Sequence, residues 1–385
     1  MKDDVLRLFT ETFASEATVY SQAPGRLEIL GNHTDYNEGY VLSTAVDCYT
    51  FIALKPVTGN TCRVISPGIA ETVRDFSVNE IGETAIDKDW LNYLKGTLRE
   101  LQKRGHKLPA FEAAILSTVP LSAGMSSSAS LEIALIQSFY QLLELPVDIS
   151  EMARIGQGCE NNYIGANTGL MDQFSSLAGQ KDSFVLSEYR HLNVQTVPVP
   201  QNISLVVFNS GVKHDLSKEY NERRSQCEES VEILKQFYPD IQSLRDINLE
   251  QLAAQEANFP EEVYKRALHV VGENTRVHQA LDCFKEKDVE GFAQLLFESH
   301  ESSINNFENS CSELDFLVDI AHSSNLCYGA RLSGGGFGGI SIHLVESRRA
   351  ENYQSFVQKT FKNRYGFTPD SFICQSAQGA FAETI

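Results

Sequence analysis

The feature that most constrains this chain is a small-residue stretch, Pro120-Leu-Ser-Ala-Gly-Met-Ser-Ser-Ser-Ala-Ser130, which joins a predicted strand to a predicted helix. An alternating apolar run from Phe111 to Ile115 precedes this serine loop, and a helical repeat of apolar residues begins at Leu131. A helix that starts at a loop leaves backbone N–H groups without partners and presents about half an elementary positive charge. The stretch therefore predicts an anion site, in particular a phosphate site, at the start of this helix.

Two interpretations of the serine loop stay open from its residues alone. It does not end in the Gly-Lys-Ser/Thr of a P-loop, and it lacks the G-x-G-x-x-G pattern of dinucleotide-binding folds. Serine and glycine are also common at helix starts, because a serine side chain can cap the first free N–H groups. The loop is therefore either a phosphate cradle or an ordinary serine-capped helix start.

The overall composition limits the ligands of such a site. The chain has 385 residues, of which 42% are hydrophobic and 22% charged, and this predicts a folded protein of two lobes with a cleft between them. The formal net charge of −19 argues against nucleic acid or an anionic membrane as a partner. The acidic N-terminal residues lack the apolar core of a signal peptide, the eight cysteines are scattered, and the longest apolar run, Ile203 to Phe208, is too short for a membrane span. We therefore expect a cytoplasmic protein with reduced thiols.

Two further loops and one isolated acid are candidates for a binding site. The segment from Ala23 to Gly39 carries more polar side chains than a plain turn requires. Five glycines within residues 334–339 lie between two strand-like runs and allow a ligand to approach the backbone closely. Asp172 has no lysine or arginine near it in sequence, which predicts a partly desolvated carboxylate. A helix N-terminal cap is the alternative interpretation of Asp172.

Apolar periodicity gives a coarse division of the chain. The pattern becomes more helical after Gly179, so we predict two lobes, residues 1–182 and 183–385. Ser312-x-x-Asp315 predicts a capping box for a helix in the second lobe. In the first lobe the pattern predicts helices over residues 3–16 and 87–104, and hairpin-like strands over residues 41–46 and 50–54.

Taken together, these loops resemble the signatures of the GHMP small-molecule kinases and, within that superfamily, of the galactokinases. The resemblance covers nearly the whole chain and implies an α+β, two-lobed GHMP kinase fold. The N-terminal lobe would hold a mixed β-sheet (ribosomal protein S5 domain 2-like), and the C-terminal lobe would be ferredoxin-like and more helical. The implied reaction transfers the γ-phosphoryl group of ATP to the anomeric hydroxyl of a sugar. The motifs, in chain order, are Ala23 to Gly39, Pro120 to Ser130, Gly169-Leu-Met-Asp-Gln-Phe174, Ser217 to Glu228 and Ser333-Gly-Gly-Gly-Phe-Gly-Gly339.

The same resemblance assigns roles to particular residues. Asp172 is the implied acceptor of the sugar proton, and Arg26 would keep its carboxylate ionised. Ser128 and Glu160 are implied to hold Mg²⁺. The other implied contacts are to the sugar at Asn32, His33, Asp35, Gly169 and Tyr220, and to ATP at Gly124, Ser126, Ser127, Ser128, Gly335 and Gly336.

The first motif departs from the usual galactokinase pattern at two positions. Galactokinases usually read Gly-Arg-x-Asn-x-x-Gly-Glu-His, whereas here Glu28 and Asn32 exchange the amide and the carboxylate. The family glutamate at the position of Asn32 hydrogen-bonds the sugar, so the exchange predicts weaker discrimination for galactose. The alternatives are a kinase for a related sugar, such as an N-acetylhexosamine or a pentose, and a non-catalytic sensor of sugar and ATP. A monomer is the favoured oligomeric state.

Overall fold

The computed structural model describes residues 1–121, 124–212 and 217–385, and the side chains of residues 217 and 218 are not described. Ser122 and Ala123 of the serine loop therefore lie outside the described residues. The strands are β1 (Val19–Leu30), β2 (Tyr40–Val57), β3 (Thr61–Ser66), β4 (Ala70–Ser77), β5 (Ala110–Ser117), β6 (Ser183–Glu188), β7 (Asn193–Pro198), β8 (Ile203–Asn209), β9 (Cys327–Ser333), β10 (Ile340–Glu346), β11 (Ser371–Cys374) and β12 (Phe381–Thr384). The helices are α1 (Lys2–Phe13), α2 (Leu91–Lys103), α3 (Ser127–Leu142), α4 (Ile149–Gly158), α5 (Met171–Ala178), α6 (Ser217–Leu234), α7 (Leu249–Ala253), α8 (Glu261–Glu286), α9 (Val289–Ser302), α10 (Ser312–His322) and α11 (Ala350–Tyr365).

The first sheet is mixed, as the family resemblance implies. In the described part of the chain it has eight strands in the order β12-β1-β2-β5-β3-β4, with β6 paired to β2 and β7 paired to β6. Strands β3 and β5 run parallel. The side chains of β2 alternate between two faces, because Ile52 and Leu54 pack under α2 to α5 while Phe51 and Ala53 pack against α1. Helices therefore cover both faces of this sheet.

The second sheet has the ferredoxin-like arrangement that the resemblance implies. Its strands follow the order β11-β8-β10-β9 and are all antiparallel. In β8, Val206 and Phe208 pack towards α10 and α11. Leu205 and Val207 instead join a core that also contains Leu27 from β1. The two lobes therefore share a buried apolar core.

The lobes are not two consecutive parts of the chain. Strands β6 and β7 hydrogen-bond into the first sheet, although the predicted boundary at residue 182 assigned them to the second lobe. The last strand, β12, also returns to the first sheet and pairs with β1. By hydrogen bonding, the chain changes sheet between β7 and β8. A short apolar strand such as β6 carries no local mark of which sheet it joins, so the sequence pattern could not place this change.

Two local predictions differ from the structure. The two predicted strands over residues 41–46 and 50–54 form one continuous strand, β2. Ser312 does not cap α10, because Cys311 occupies the N-cap and the Ser312 hydroxyl donates to Glu313 at 3.0 Å. Within the described residues, no helix combines the length and apolar character that crossing a bilayer demands.

Candidate active site

A cavity of about 330 Å³ lies between the two lobes, where β1 ends. Its walls come from β1 and the loop after it, residues 165–169, the first turns of α5 and α6, and the glycine loop after β9. The predicted site residues that line it are Arg26, Asn32, His33, Asp35, Gly169, Asp172, Tyr220 and Gly335.

Asp172 is held at the edge of this cavity by two side chains. The Arg26 Nε donates to Asp172 Oδ1 at 2.7 Å, and the Ser126 hydroxyl donates to Asp172 Oδ2. Arg26 also donates through Nη1 to the Gly124 carbonyl at 2.7 Å, so one guanidinium joins the carboxylate to the serine loop. The Arg26 side chain is 8% exposed and that of Asp172 is 23% exposed. The carboxylate is therefore fixed in orientation while one side stays open to the cavity.

The serine loop does not form an ordinary serine cap. Ser126 occupies the N-cap position of α3 in a left-handed conformation (φ 55°), and its side chain makes no capping hydrogen bond. Its hydroxyl instead donates to Asp172, so among the described residues no serine cap occupies the first N–H groups of α3, which can then meet an anion. Asp172 likewise is not a helix cap, because Leu170 is the N-cap of α5. Both geometries favour the ligand-binding interpretation of these motifs.

Gly169 and Asp35 meet on the wall of the first cavity. An added Cβ at Gly169 would lie 1.6 Å from Asp35 Oδ2, so only glycine permits this approach. Burial raises the pKa of the Asp35 carboxyl to about 6, and the negative charge of Asp172 adds to the effect. The carboxylates of Asp172 and Asp35 thus differ in character, because Asp172 is paired with arginine whereas the pKa of Asp35 is raised.

Aromatic rings close the inner end of the cavity. The ring of His33 lies 5.2 Å from that of Tyr220 and 4.4 Å from that of Phe307, measured between centroids. His33 Nε2 is 3.2 Å from the Gly335 carbonyl, and burial lowers the pKa of His33 to about 4. Burial also raises the pKa of Tyr220 well above its usual value. Both groups are therefore uncharged near neutral pH and can serve as hydrogen-bonding partners.

Ser128 and Glu160 are adjacent, as the resemblance implies for a metal site. The Ser128 hydroxyl donates to Glu160 Oε1 at 3.0 Å, and Thr168 donates to Oε2 at 2.6 Å. Burial and then the charge of Asp172 raise the pKa of Glu160. Within the described residues, no lysine or arginine forms an ion pair with Glu160. The same residues contain no group of three or more His, Cys, Asp or Glu side chains that could hold a metal ion by itself. A buried carboxylate without a counter-charge beside a hydroxyl suits Mg²⁺, which takes few protein ligands and completes its shell with phosphate oxygens and water.

A second, smaller cavity of about 110 Å³ contains residues that sequence reasoning did not assign to a site. Its walls are mostly apolar, and Ser127 and Ser128 form part of them. Trp90 and Tyr93, from the start of α2, contribute aromatic rings, and the Trp90 Nε1 is buried without a partner among the described residues. From the sequence Trp90 is most simply a core residue, because its spacing matches the apolar face of the helix.

The glycine loop packs against the first cavity rather than the second. Gly335 lines the first cavity, and a Cβ at Gly336 would lie 2.1 Å from the Asn309 carbonyl. Gly336 also has a positive φ of 80°, which favours glycine. The roles of Gly335 and Gly336 as ATP contacts stay predictions.

Comparisons with known proteins identify the family. The N-terminal domain of the GHMP kinases matches residues 92–180, the GHMP kinase C-terminal domain matches residues 280–363, and the galactokinase galactose-binding signature matches residues 7–56. A galactokinase of Roseiflexus sp. (strain RS-1) is 36% identical over 372 residues, which span 96% of this chain and 94% of that protein. The chain belongs to the galactokinase family. The crystal structure of Lactococcus lactis galactokinase complexed with galactose superposes with a TM-score of 0.91 at 30% identity, over 97% of this chain and 98% of that one.

More distant structures share the fold of this galactokinase-family protein. Mevalonate kinase of Methanococcus jannaschii matches with a TM-score of 0.64 at 18% identity, over 94% of this chain and 99% of that one. The two matched GHMP domains and the match to the Lactococcus lactis structure confirm the two-lobed α+β GHMP architecture predicted from the motifs.

A buried charge network behind the cavity was not predicted from the sequence. Glu273 of α8 accepts hydrogen bonds from the backbone N–H groups of Gly31 and Asn32, at 2.9 and 2.8 Å. Arg331 of β9 donates to Glu28 Oε1 at 3.1 Å and lies 3.6 Å from Glu273 Oε2. These residues fix the loop after β1 in this galactokinase-family site. An arginine in the otherwise uncharged run of β9 was the one sequence feature that could have pointed to a buried partner.

Proposed function

We propose that this protein is an ATP-dependent sugar 1-kinase whose sugar is galactose. The observation that carries the proposal is the Asp172 carboxylate, which Arg26 and Ser126 hold where the first cavity meets the serine loop. The cavity has the size of a small-ligand pocket and polar groups from several elements converge on it. Membership of the galactokinase family supports galactose as the sugar.

The geometry suits a direct phosphoryl transfer. Asp172 accepts the proton of the anomeric hydroxyl, the hydroxyl oxygen bonds to the γ-phosphorus of ATP, and ADP leaves as the bridging bond breaks. Arg26 supplies positive charge beside the reacting atoms and fixes the direction of the carboxylate. Such a reaction depends mainly on positioning and charge neutralisation, which this arrangement provides. His33, Asp35, Gly169 and Tyr220, with Asn32 in the wall, would surround the sugar.

ATP is expected along the serine loop. Its phosphates would meet the free N–H groups at the start of α3, close to Gly124, Ser126, Ser127 and Ser128, and its base would enter the cavity of Trp90 and Tyr93. Ser128 and Glu160 would hold Mg²⁺, which neutralises phosphate charge when bound. Gly335 and Gly336 complete the proposed ATP contacts on the strength of the family resemblance.

The proposal is tested by an ADP-release assay with ATP, Mg²⁺ and a panel of free sugars: galactose, glucose, N-acetylgalactosamine and arabinose. We expect galactose to give the highest kcat/KM, with measurable turnover of a second sugar because Glu28 and Asn32 are exchanged. An exclusive preference for galactose would contradict weakened discrimination. Sugar and ATP binding without ADP release would instead indicate a sensor.

Arg26→Lys is expected to lower kcat by roughly 10- to 100-fold, since one charge-assisted hydrogen bond contributes about 1.5–3 kcal/mol. A single ammonium group cannot reach both Asp172 and the Gly124 carbonyl as the guanidinium does. The measurement is steady-state turnover, with thermal unfolding as the control for folding. Wild-type turnover in a folded variant would show that the two-pronged contact is dispensable.

A further inference from the structure

Asn32 has no hydrogen-bond donor left for a sugar. Its Nδ2 carries two hydrogens, which it donates to Glu28 Oε1 and to the Gly334 carbonyl, each at 2.8 Å. Its Oδ1 accepts from Asn309 Nδ2 at 3.0 Å, and the residue is 1% exposed. The amide therefore serves as a structural bridge between β1, the glycine loop and Asn309.

Glu28 lines the same cavity, and one of its carboxylate oxygens has no hydrogen-bond donor among the described residues. Its Oε1 accepts hydrogen bonds from Asn32 and from Arg331 Nη2. Its Oε2 accepts none from the described residues, and it is not among their fully enclosed polar atoms without partners. Two oxygens of an ionised carboxylate can accept about four hydrogen bonds. Oε2 is thus an acceptor on the cavity wall that the described residues leave without a donor.

We propose that Glu28, and not Asn32, is the residue of this wall that contacts the sugar, with Oε2 accepting a hydrogen bond from one ring hydroxyl and thereby setting which sugar is preferred. The inference rests on the proposed function, because it assumes that the cavity holds a sugar. The surroundings support it: burial raises the pKa of Glu28 to about 7, which Arg331 and Asn32 only partly oppose. A hydrogen bond from a sugar hydroxyl to Oε2 would stabilise the ionised carboxylate, which burial disfavours.

The test is a thermodynamic cycle that combines the Glu28→Gln substitution in the protein with the removal of one hydroxyl at a time from the sugar. KM and kcat, and Kd by calorimetry, are measured for galactose and its four monodeoxy analogues with wild type and variant. We expect Glu28→Gln to raise KM and Kd for galactose roughly 10- to 100-fold, while kcat changes far less because Asp172 is untouched. One analogue should bind equally poorly to the wild type and to Glu28→Gln, because it lacks the hydroxyl that donates a hydrogen bond to Glu28.

Ser333→Ala is the matched control. The Ser333 hydroxyl donates to the Glu28 carbonyl at 2.9 Å but does not touch the carboxylate, so its loss should affect all five sugars by one common factor. If Glu28→Gln fails to fold, Glu28→Asp keeps a charge for Arg331 and should show the same analogue-specific pattern. A uniform loss for every sugar with the Glu28 variants would overturn the proposal. If the Glu28 variants show that uniform loss while the wild type turns over galactose, the kinase proposal stays intact. A wild type that binds no sugar would remove both proposals.

Discussion

Asp172→Asn is expected to reduce kcat by roughly 10²–10⁴-fold, because an amide cannot take the proton of the sugar hydroxyl. The substitution preserves size, and the amide oxygen can still accept a hydrogen bond from Arg26 or Ser126. The fold and the sugar affinity should therefore change little. Turnover is measured by ADP release at saturating galactose and ATP, and sugar affinity by calorimetry.

Asp35→Asn is the matched control for Asp172→Asn. It removes another carboxylate of the same cavity, one that abuts Gly169 and has no arginine partner among the described residues. We expect this variant to weaken sugar binding more than it lowers kcat. If Asp172→Asn turned over normally and Asp35→Asn did not, the proton acceptor would be Asp35 and the proposed mechanism would be wrong.

Local sequence patterns were sufficient to find the parts of this site that lie on loops. The serine loop, the polar loop after β1 and the glycine loop each stand out by composition, and Asp172 stands out by its isolation from basic residues. The structure brings the polar loop, the glycine loop and Asp172 to one cavity, and the serine loop contacts Asp172 through Ser126.

The residues that support those loops could not be found in the same way. Glu273 lies in the middle of the long helix α8, where an acidic residue ordinarily faces solvent, yet it is fully buried. Apart from the ion pair with Arg276 on the same helix, Glu273 contacts Arg331 in β9 and the loop after β1, both more than 50 residues away in sequence, so no local period reports those contacts. The sequence indicates only that Asn309 is a loop residue, although in the structure it donates a hydrogen bond to Asn32 and packs against Gly336. Tertiary placement, and not local pattern, decides these roles.

Arg331→Met is expected to lower the free energy of unfolding by about 3–5 kcal/mol, the range for removing one partner of a buried ion pair. Arg331 is fully buried, and it contacts Glu28 Oε1 at 3.1 Å and the Ile29 carbonyl at 3.2 Å. Although burial acts against it, Arg276 and then Arg331 hold the pKa of Glu273 well below its usual value. Without the guanidinium, the buried carboxylates of Glu28 and Glu273 repel each other with less compensation.

The loss of stability caused by Arg331→Met should grow as the pH rises. The pKa of Glu28 already lies near 7 in the folded protein, above its ordinary 4.5, and the substitution raises it further. An acid with a raised folded pKa contributes stability below its unfolded pKa and loses it as the pH rises through the folded one. Chemical unfolding should therefore show a larger gap between wild type and variant at pH 8 than at pH 5. The double variant with Glu28→Gln should recover part of the loss at pH 8, because it removes the carboxylate left without its arginine. A gap of equal size at both pH values would mean that lost packing, and not uncompensated charge, destabilises the variant.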